Sequence, residues 1–187
     1  SIGSGHTVNF VQPSTSSVAL NRVLGADVSV IQGALNANGQ VFLVNPNGVL
    51  FTSTAQVNVG ALVASTLQLS ADDFMADNYR FSGYSTAGVK NEGNIRVGSG
   101  GSVALIAARI DNTGSITAPE SNVLMGAGSA VRLDMGGPVK IEVEVGALNT
   151  LIVQGGAIRA DGGLVYLTAK AAGDLASSAI NHTGMTE

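Results

Sequence analysis

The chain contains no cysteine among its 187 residues. Disulfides, thiolate nucleophiles and cysteine-based zinc sites are therefore excluded. That absence has two readings: chance, or a protein that crosses an oxidising periplasm and gains by avoiding crosslinks. Charge is scarce as well, at 12% of residues, and the nine lysines and arginines are scattered singly. With a net charge of -4 and no basic cluster, the chain lacks the footprint of a nucleic-acid binder. No run of 18 apolar residues exists, so no membrane-spanning helix is expected. The first residues carry neither a basic nor an apolar leader region.

Aromatic residues are only 4% while apolar residues reach 45%, so the core must be built from Val, Leu, Ile and Ala. Such side chains suit a narrow, stacked interior. The 25 glycines follow no collagen triplet. Short β-prone runs recur instead, among them Thr7–Val11, Gln40–Val44, Gln56–Val59, Ser102–Ile106 and Leu164–Thr168. Each is bounded by Gly, Asn or Ser, and no helical period persists for three turns.

Repetition is the informative feature. Asn38-Gly39-Gln40-Val41 resembles Gly100-Gly101-Ser102-Val103 and Gly162-Gly163-Leu164-Val165, with Gly39, Gly101 and Gly163 spaced 62 residues apart. Asn94–Val97 echoes Ala157–Ala160, and Val57–Ala61 echoes Val123–Ala127. Asn-x-Gly turns follow strands at Asn91–Gly93 and Asn112–Gly114. A period of 62 reads as three rungs of roughly 20 residues, the size of one turn of a parallel β-helix. The fold expected is a single-stranded right-handed parallel β-helix, one all-β domain over 1–187, in which stacked rungs bury a shared aliphatic column. A β-sandwich of short strands is the competing architecture. Glycine and asparagine at the corners are explained by positive φ and Asx hydrogen bonding.

Two stretches break the rungs. Ser70 followed by Asp73 is a capping pattern, which predicts either one helical turn near 70–76 or an irregular loop running through 76–81. From Ala130 to Val145, apolar and charged residues alternate on both sides of Gly136-Gly137-Pro138. That pattern gives either an antiparallel hairpin laid over the helix or two successive rung strands.

The residues offer little catalytic chemistry. His6 and His182 have no acidic neighbour at ligand spacing, so no metal centre is expected. Asp72, Asp73 and Asp77 lack the glycine and alternation of a calcium loop. Gly98, Gly100 and Gly101 lack the Gly-Lys-Ser/Thr of a phosphate loop. Polysaccharide enzymes on β-helices line a cleft with several charged groups, but these strands are nearly uncharged. Neither an enzyme nor a cofactor is expected. The sharpest local feature is Asn45-Pro46-Asn47-Gly48, a rigid turn in which Asn45 can accept from backbone amides further on.

These residues resemble a known family, the amino-terminal secretion domain of two-partner-secretion exoproteins of the filamentous-haemagglutinin and high-molecular-weight-adhesin kind. Asn38–Val49 carries the most specific likeness, and Val8–Pro13, Leu20–Val23, Val63–Leu67, Asn91-Glu92-Gly93-Asn94-Ile95 and Gly156–Gly163 also fit. The resemblance implies a β-helix recognised by an outer-membrane two-partner-secretion transporter through its periplasmic transport-associated domains. It implies a destination outside the cell or on its surface, after transit through the periplasm. The family's Asn-Pro-Asn-Gly feature falls on Asn45, Pro46, Asn47 and Gly48. With Asn91, Gly93 and Asn94 it forms the expected structural and secretion motif. Cap strands that precede this pattern in the family, and a downstream solenoid, are expected to be missing, which leaves end rungs able to stack end to end. Alternative roles are an adhesive module binding a host-surface receptor or glycan, and, remotely, a β-helical glycan enzyme.

Overall fold

A computed structural model describes residues 1–136, 138–173 and 177–187. The chain winds as a right-handed parallel β-helix with three faces, visited in the same order on every turn. Face 1 holds Thr7–Phe10, Ala34–Ala37, Gln56–Val59, Asn94–Val97, Ser115–Thr117, Ala157–Arg159 and Met185–Thr186. Face 2 holds Val18–Arg22, Gln40–Val44, Ala61–Ser65, Val103–Ala107, Val123–Ala127 and Val165–Ala169. Face 3 holds Ser29–Ile31, Val49–Phe51, Gly88–Asn91, Arg109–Asn112, Asn149–Gln154 and Ser177–His182. All ladders within these faces are parallel, so each short strand satisfies its backbone only through the turns above and below it.

Val41, Leu62, Val103, Val123 and Val165 form one inward column by direct register on face 2. The repeat seen in the sequence is therefore real, but its content differs from expectation. From Val41 to Val103 the chain makes two turns, one of 21 residues and one of 41. From Val103 to Val165 it again makes two, of 20 and 42 residues. A plain turn needs about 20 residues, and each long turn carries an insertion of similar length. Counting residues alone cannot tell an added turn from an excursion.

The insertions, 66–87 and 128–148, both leave at the crossing from face 2 to face 3. The first contains the expected helical turn, Ala71–Met75, capped by the Ser70 side chain on Asp73 N at 3.0 Å. The stretch expected to be irregular instead forms a strand, Tyr79–Ser82. Tyr79 and Phe81 are buried there and alternate with Arg80 and Ser82. The second insertion is the antiparallel hairpin, Ala130–Asp134 with Lys140–Val145. In its turn, Gly137 lies outside the described residues. Ala130–Asp134 also pairs antiparallel with Tyr79–Ser82, so the two insertions build one three-stranded outer sheet.

The middle of face 2 is consequently buried on both sides, which explains the unbroken burial of Ala61–Ser65, Val103–Ala107 and Val123–Ala127. Inward residues such as Val41, Leu62 and Val103 fill the solenoid. Outward residues such as Phe42, Val63 and Ile106 fill a second core under the outer sheet. Sparse as they are, the aromatics concentrate there: the Phe42 ring lies 5.0 Å from Tyr79 and 5.8 Å from Phe74. One sequence echo fails, because Val57 lies on face 1 and Val123 on face 2.

The corner glycines have two causes, of which only one was expected. Gly93 and Gly114 are not among the positive-φ residues. A Cβ at Gly114 would fall 2.7 Å from Gly93 N and 2.6 Å from Glu92 C on the turn below. Close stacking of backbone on backbone demands glycine there. Positive φ holds for Gly48, Gly100 and Gly162.

Candidate functional site

Asn45 ends a face-2 strand and begins the crossing to face 3, with its side chain buried. Its Nδ2 donates to Asp27 O at 2.8 Å and to Ser29 Oγ at 2.9 Å, both on the preceding turn. Its Oδ1 accepts from Asn47 N at 3.0 Å and from Asn47 Nδ2 at 2.9 Å. The Asn47 amide also reaches Gly25 O at 2.7 Å. Gly48 N closes the turn onto Asn45 O at 3.1 Å, with Gly48 at φ 126. Pro46 cannot donate, and its carbonyl accepts from Ser85 Oγ at 2.5 Å. One four-residue corner thus ties the turn before it to the first insertion after it. Sequence reasoning saw the turn but missed Asp27, Ser29 and Ser85, which lie too far along the chain for any local pattern to reveal.

Asn91 lies at another corner, where face 3 passes to face 1. Asn91, Asn112 and Gln154 are in register at the ends of successive strands, and all three are fully buried. Asn91 Nδ2 donates to Asn112 Oδ1, and Asn112 Nδ2 donates to Gln154 Oε1 at 2.7 Å. Asn91 and Gln154 also serve their own turns: Gly93 N donates to Asn91 Oδ1 at 3.1 Å, and Gln154 Nε2 donates to Gly156 O at 3.0 Å. His182 continues the register and bonds Thr186 Oγ1. Gln154 was missed because Gln-Gly-Gly does not read as Asn-x-Gly, although its amide does the same work one methylene further out.

The seven motif residues therefore do not converge. Asn45, Pro46, Asn47 and Gly48 share one corner, and Asn91 and Gly93 share another. Asn94 is exposed on face 1, where its side chain accepts from Ser115 Oγ. Among the described residues no group of three His, Asp or Glu could hold a metal ion. Asp73 is held below the usual carboxylate range first by the Ser70 hydroxyl and then by Asn78, and it sits in the first turn of the helix that Ser70 caps. Gly98 to Gly101 form the corner from face 1 to face 2, closed by Gly101 N on Gly98 O. A shallow groove of about 370 Å³ on face 3 is lined by Leu50, Lys90, Arg109, Asp111 and Leu151. It presents a single carboxylate, not the flanking pair that glycan hydrolysis requires. No described helix is long and apolar enough to cross a membrane. What the site can do is mechanical: fix the register of successive turns through fully paired buried amides.

The family model described as "TPS secretion domain" matches residues 1–187. The crystal structure of the HMW1 secretion domain from Haemophilus influenzae superposes with a TM-score of 0.71 at 29% identity, covering 97% of this chain and 53% of that one. A heme/hemopexin-binding protein of Haemophilus influenzae is 46% identical over 80 residues, which is 43% of this chain and 9% of that protein. Its counterpart from strain Rd is 53% identical over 68 residues, 36% of this chain and 8% of that protein. The chain therefore spans a small fraction of the curated relatives it matches.

Proposed function

The chain belongs to the family of TPS secretion domains, and we propose that it is the part of a large exoprotein by which an outer-membrane two-partner-secretion transporter recognises its cargo. It crosses the periplasm, is delivered to the cell surface or medium, and there forms the first turns on which a longer solenoid grows. The family match along the whole chain carries this reading. The fold agrees with it: every turn templates the next through open backbone ladders, and nothing catalytic is needed. Residues 1–187 are one solenoid section of that exoprotein.

Within it, Asn45, Pro46, Asn47 and Gly48 are the secretion motif by way of folding. Three side-chain bonds from Asn45 and Asn47 to the preceding turn hold the early turns in register. Asn91 and Gly93 do the same for the middle turns, and Asn94 braces face 1. The finer partners, a host-surface receptor and end-to-end stacking of copies, are separate from recognition by the transporter.

Co-expression of the parent exoprotein with its transporter tests the assignment. Asn45→Ala should leave the exoprotein in the periplasm, while Asn94→Ala should be secreted at near-normal levels. Normal export of Asn45→Ala removes the motif assignment. Failure of the transporter's periplasmic domains to bind the denatured chain in titration calorimetry removes the secretion reading itself. Normal export with lost host-cell attachment after deletion of 1–187 would make this an adhesive module instead.

A further inference from the structure

The outer sheet is joined to the solenoid differently from every other strand. Among the described residues its three strands form ladders with one another, Ser82 adds a single bridge to Gln68 of the same insertion, and face 2 completes its own ladder without them. Backbone hydrogen bonds from the insertions to the solenoid sit at the necks, such as Gly128 N to Ala107 O at 3.1 Å and Ala147 N to Lys170 O at 3.1 Å, and Ser85 Oγ reaches Pro46 O at 2.5 Å. Lys170 Nζ donates to Glu144 O at 3.1 Å at the exposed margin, while the buried contact is apolar, with Tyr79, Phe81, Val131, Leu133 and Ile141 resting on face 2. Lifting the sheet would break no ladder of the solenoid.

The seat is shaped for that sheet. Gly126 and Gly128 leave bare backbone at the end of a face-2 strand. A Cβ at Gly126 would lie 2.7 Å from Ile141 Cδ1, and one at Gly128 would lie 2.7 Å from Val145 O while overlapping Val143 Cγ1. The two insertions also depend on each other. Tyr79–Ser82 has a ladder partner only in Ala130–Asp134, and a lone strand is not stable on an apolar face. Glu144 ties both insertions together, accepting from Arg80 Nε at 2.5 Å and from Arg132 Nε at 2.8 Å.

We propose that insertions 66–87 and 128–148 form a latch that opens and closes as one unit over an already assembled solenoid, and that its open form bares an aromatic face centred on Phe42. Closure requires strands that lie about fifty residues apart in the chain, so it follows assembly of the intervening turn, whose Ala104 and Ile106 form part of the seat. The latch is a cooperative unit of its own, drawn from the less stable end of the molecule. This inference does not rest on the secretion reading.

Hydrogen exchange on the intact chain tests it. Amides of Tyr79–Ser82, Ala130–Asp134 and Lys140–Val145 should exchange as a set, at least tenfold faster than those of Val103–Ala107 and Val123–Ala127. Equal rates in the two sets overturn the proposal. Gly128→Val should abolish protection in the latch strands and create binding of an apolar dye, while the face-2 strands stay protected. Loss of face-2 protection in the same step, or a latch as protected as in the parent chain, overturns it.

Discussion

Asn91 Nδ2 donates to Asn112 Oδ1 at 2.9 Å, between two fully buried side chains at the ends of stacked strands. Their separation in sequence equals one turn of the solenoid, so this bond measures the register of the turns directly. Because Asn112 also donates to Gln154, it is the middle member of a three-amide column.

Replacing that middle member should be costly. Asn112→Ala leaves Gln154 Oε1 without its donor and Asn91 Nδ2 with only its longer bonds to Gly93 O and Ser115 O at 3.3 Å. With roughly 1–3 kcal/mol per unsatisfied buried group, a loss of about 2–3 kcal/mol is expected. Urea unfolding would read it. A change under about 1 kcal/mol would mean that the column does not carry the register.

The two kinds of corner glycine should respond differently. At Gly114 an added Cβ meets the backbone of the turn below, so Gly114→Ala must displace a stacked chain and should cost about 2–4 kcal/mol. At Gly100, φ is +78 and the space is open, so Gly100→Ala should cost only about 1–2 kcal/mol. Gly100→Asn should recover part of that. Thermal unfolding of the three variants settles the order, and equal effects of Gly114→Ala and Gly100→Ala would contradict it.

Acid should weaken the latch through Glu144. The Arg132 guanidinium, then that of Arg80, holds its carboxyl below the ordinary value of 4.5. A carboxylate with a depressed folded pKa contributes stability above the unfolded value, and that contribution fades as pH falls through the folded one. The melting temperature should therefore drop between about pH 5 and pH 3, and Glu144→Gln should flatten that limb. Its side chain is partly solvent-exposed, so added salt should shrink the effect. An identical acid limb in parent and variant would exclude the role.

Alkali should act on Tyr79. Burial, with help from the hydroxyl's bond to Asp77 Oδ1 at 2.9 Å, pushes its phenol up to about 12. A raised folded pKa gives stability that is complete below the unfolded value near 10. It is lost as pH rises through the folded value. Ultraviolet titration should show a late phenolate step that disappears in Tyr79→Phe. Survival of that step in the variant would reassign it.

Much of the architecture was legible because its signals are local. Asn45-Pro46-Asn47-Gly48 specifies a tight turn from its own side chains and dihedrals, and Ser70 with Asp73 specifies a helix start. The two strands over 130–145 announced themselves by alternation, since a period of two needs only neighbouring residues, but their pairing as a hairpin did not. The strand Tyr79–Ser82 stayed hidden because four residues carry too short a pattern, and their ladder partner is some fifty positions away. Gln154 stayed hidden for a related reason: only its register with Asn112 shows that it belongs to the amide column.

From the order of its residues alone, this chain was committed to short strands, glycine and asparagine corners, and repeats that must stack to bury their aliphatic faces. Backbone dihedrals and side-chain alternation depend on a few adjacent residues, so sequence suffices for them. Only the tertiary structure decided that a 62-residue repeat holds two turns and an excursion, that the two excursions meet, and that face 2 is covered on both sides. Strands such as Val103–Ala107 and Val123–Ala127 have nearly interchangeable apolar patterns, so which one lies upon which is chosen by packing and ladder closure across the whole stack.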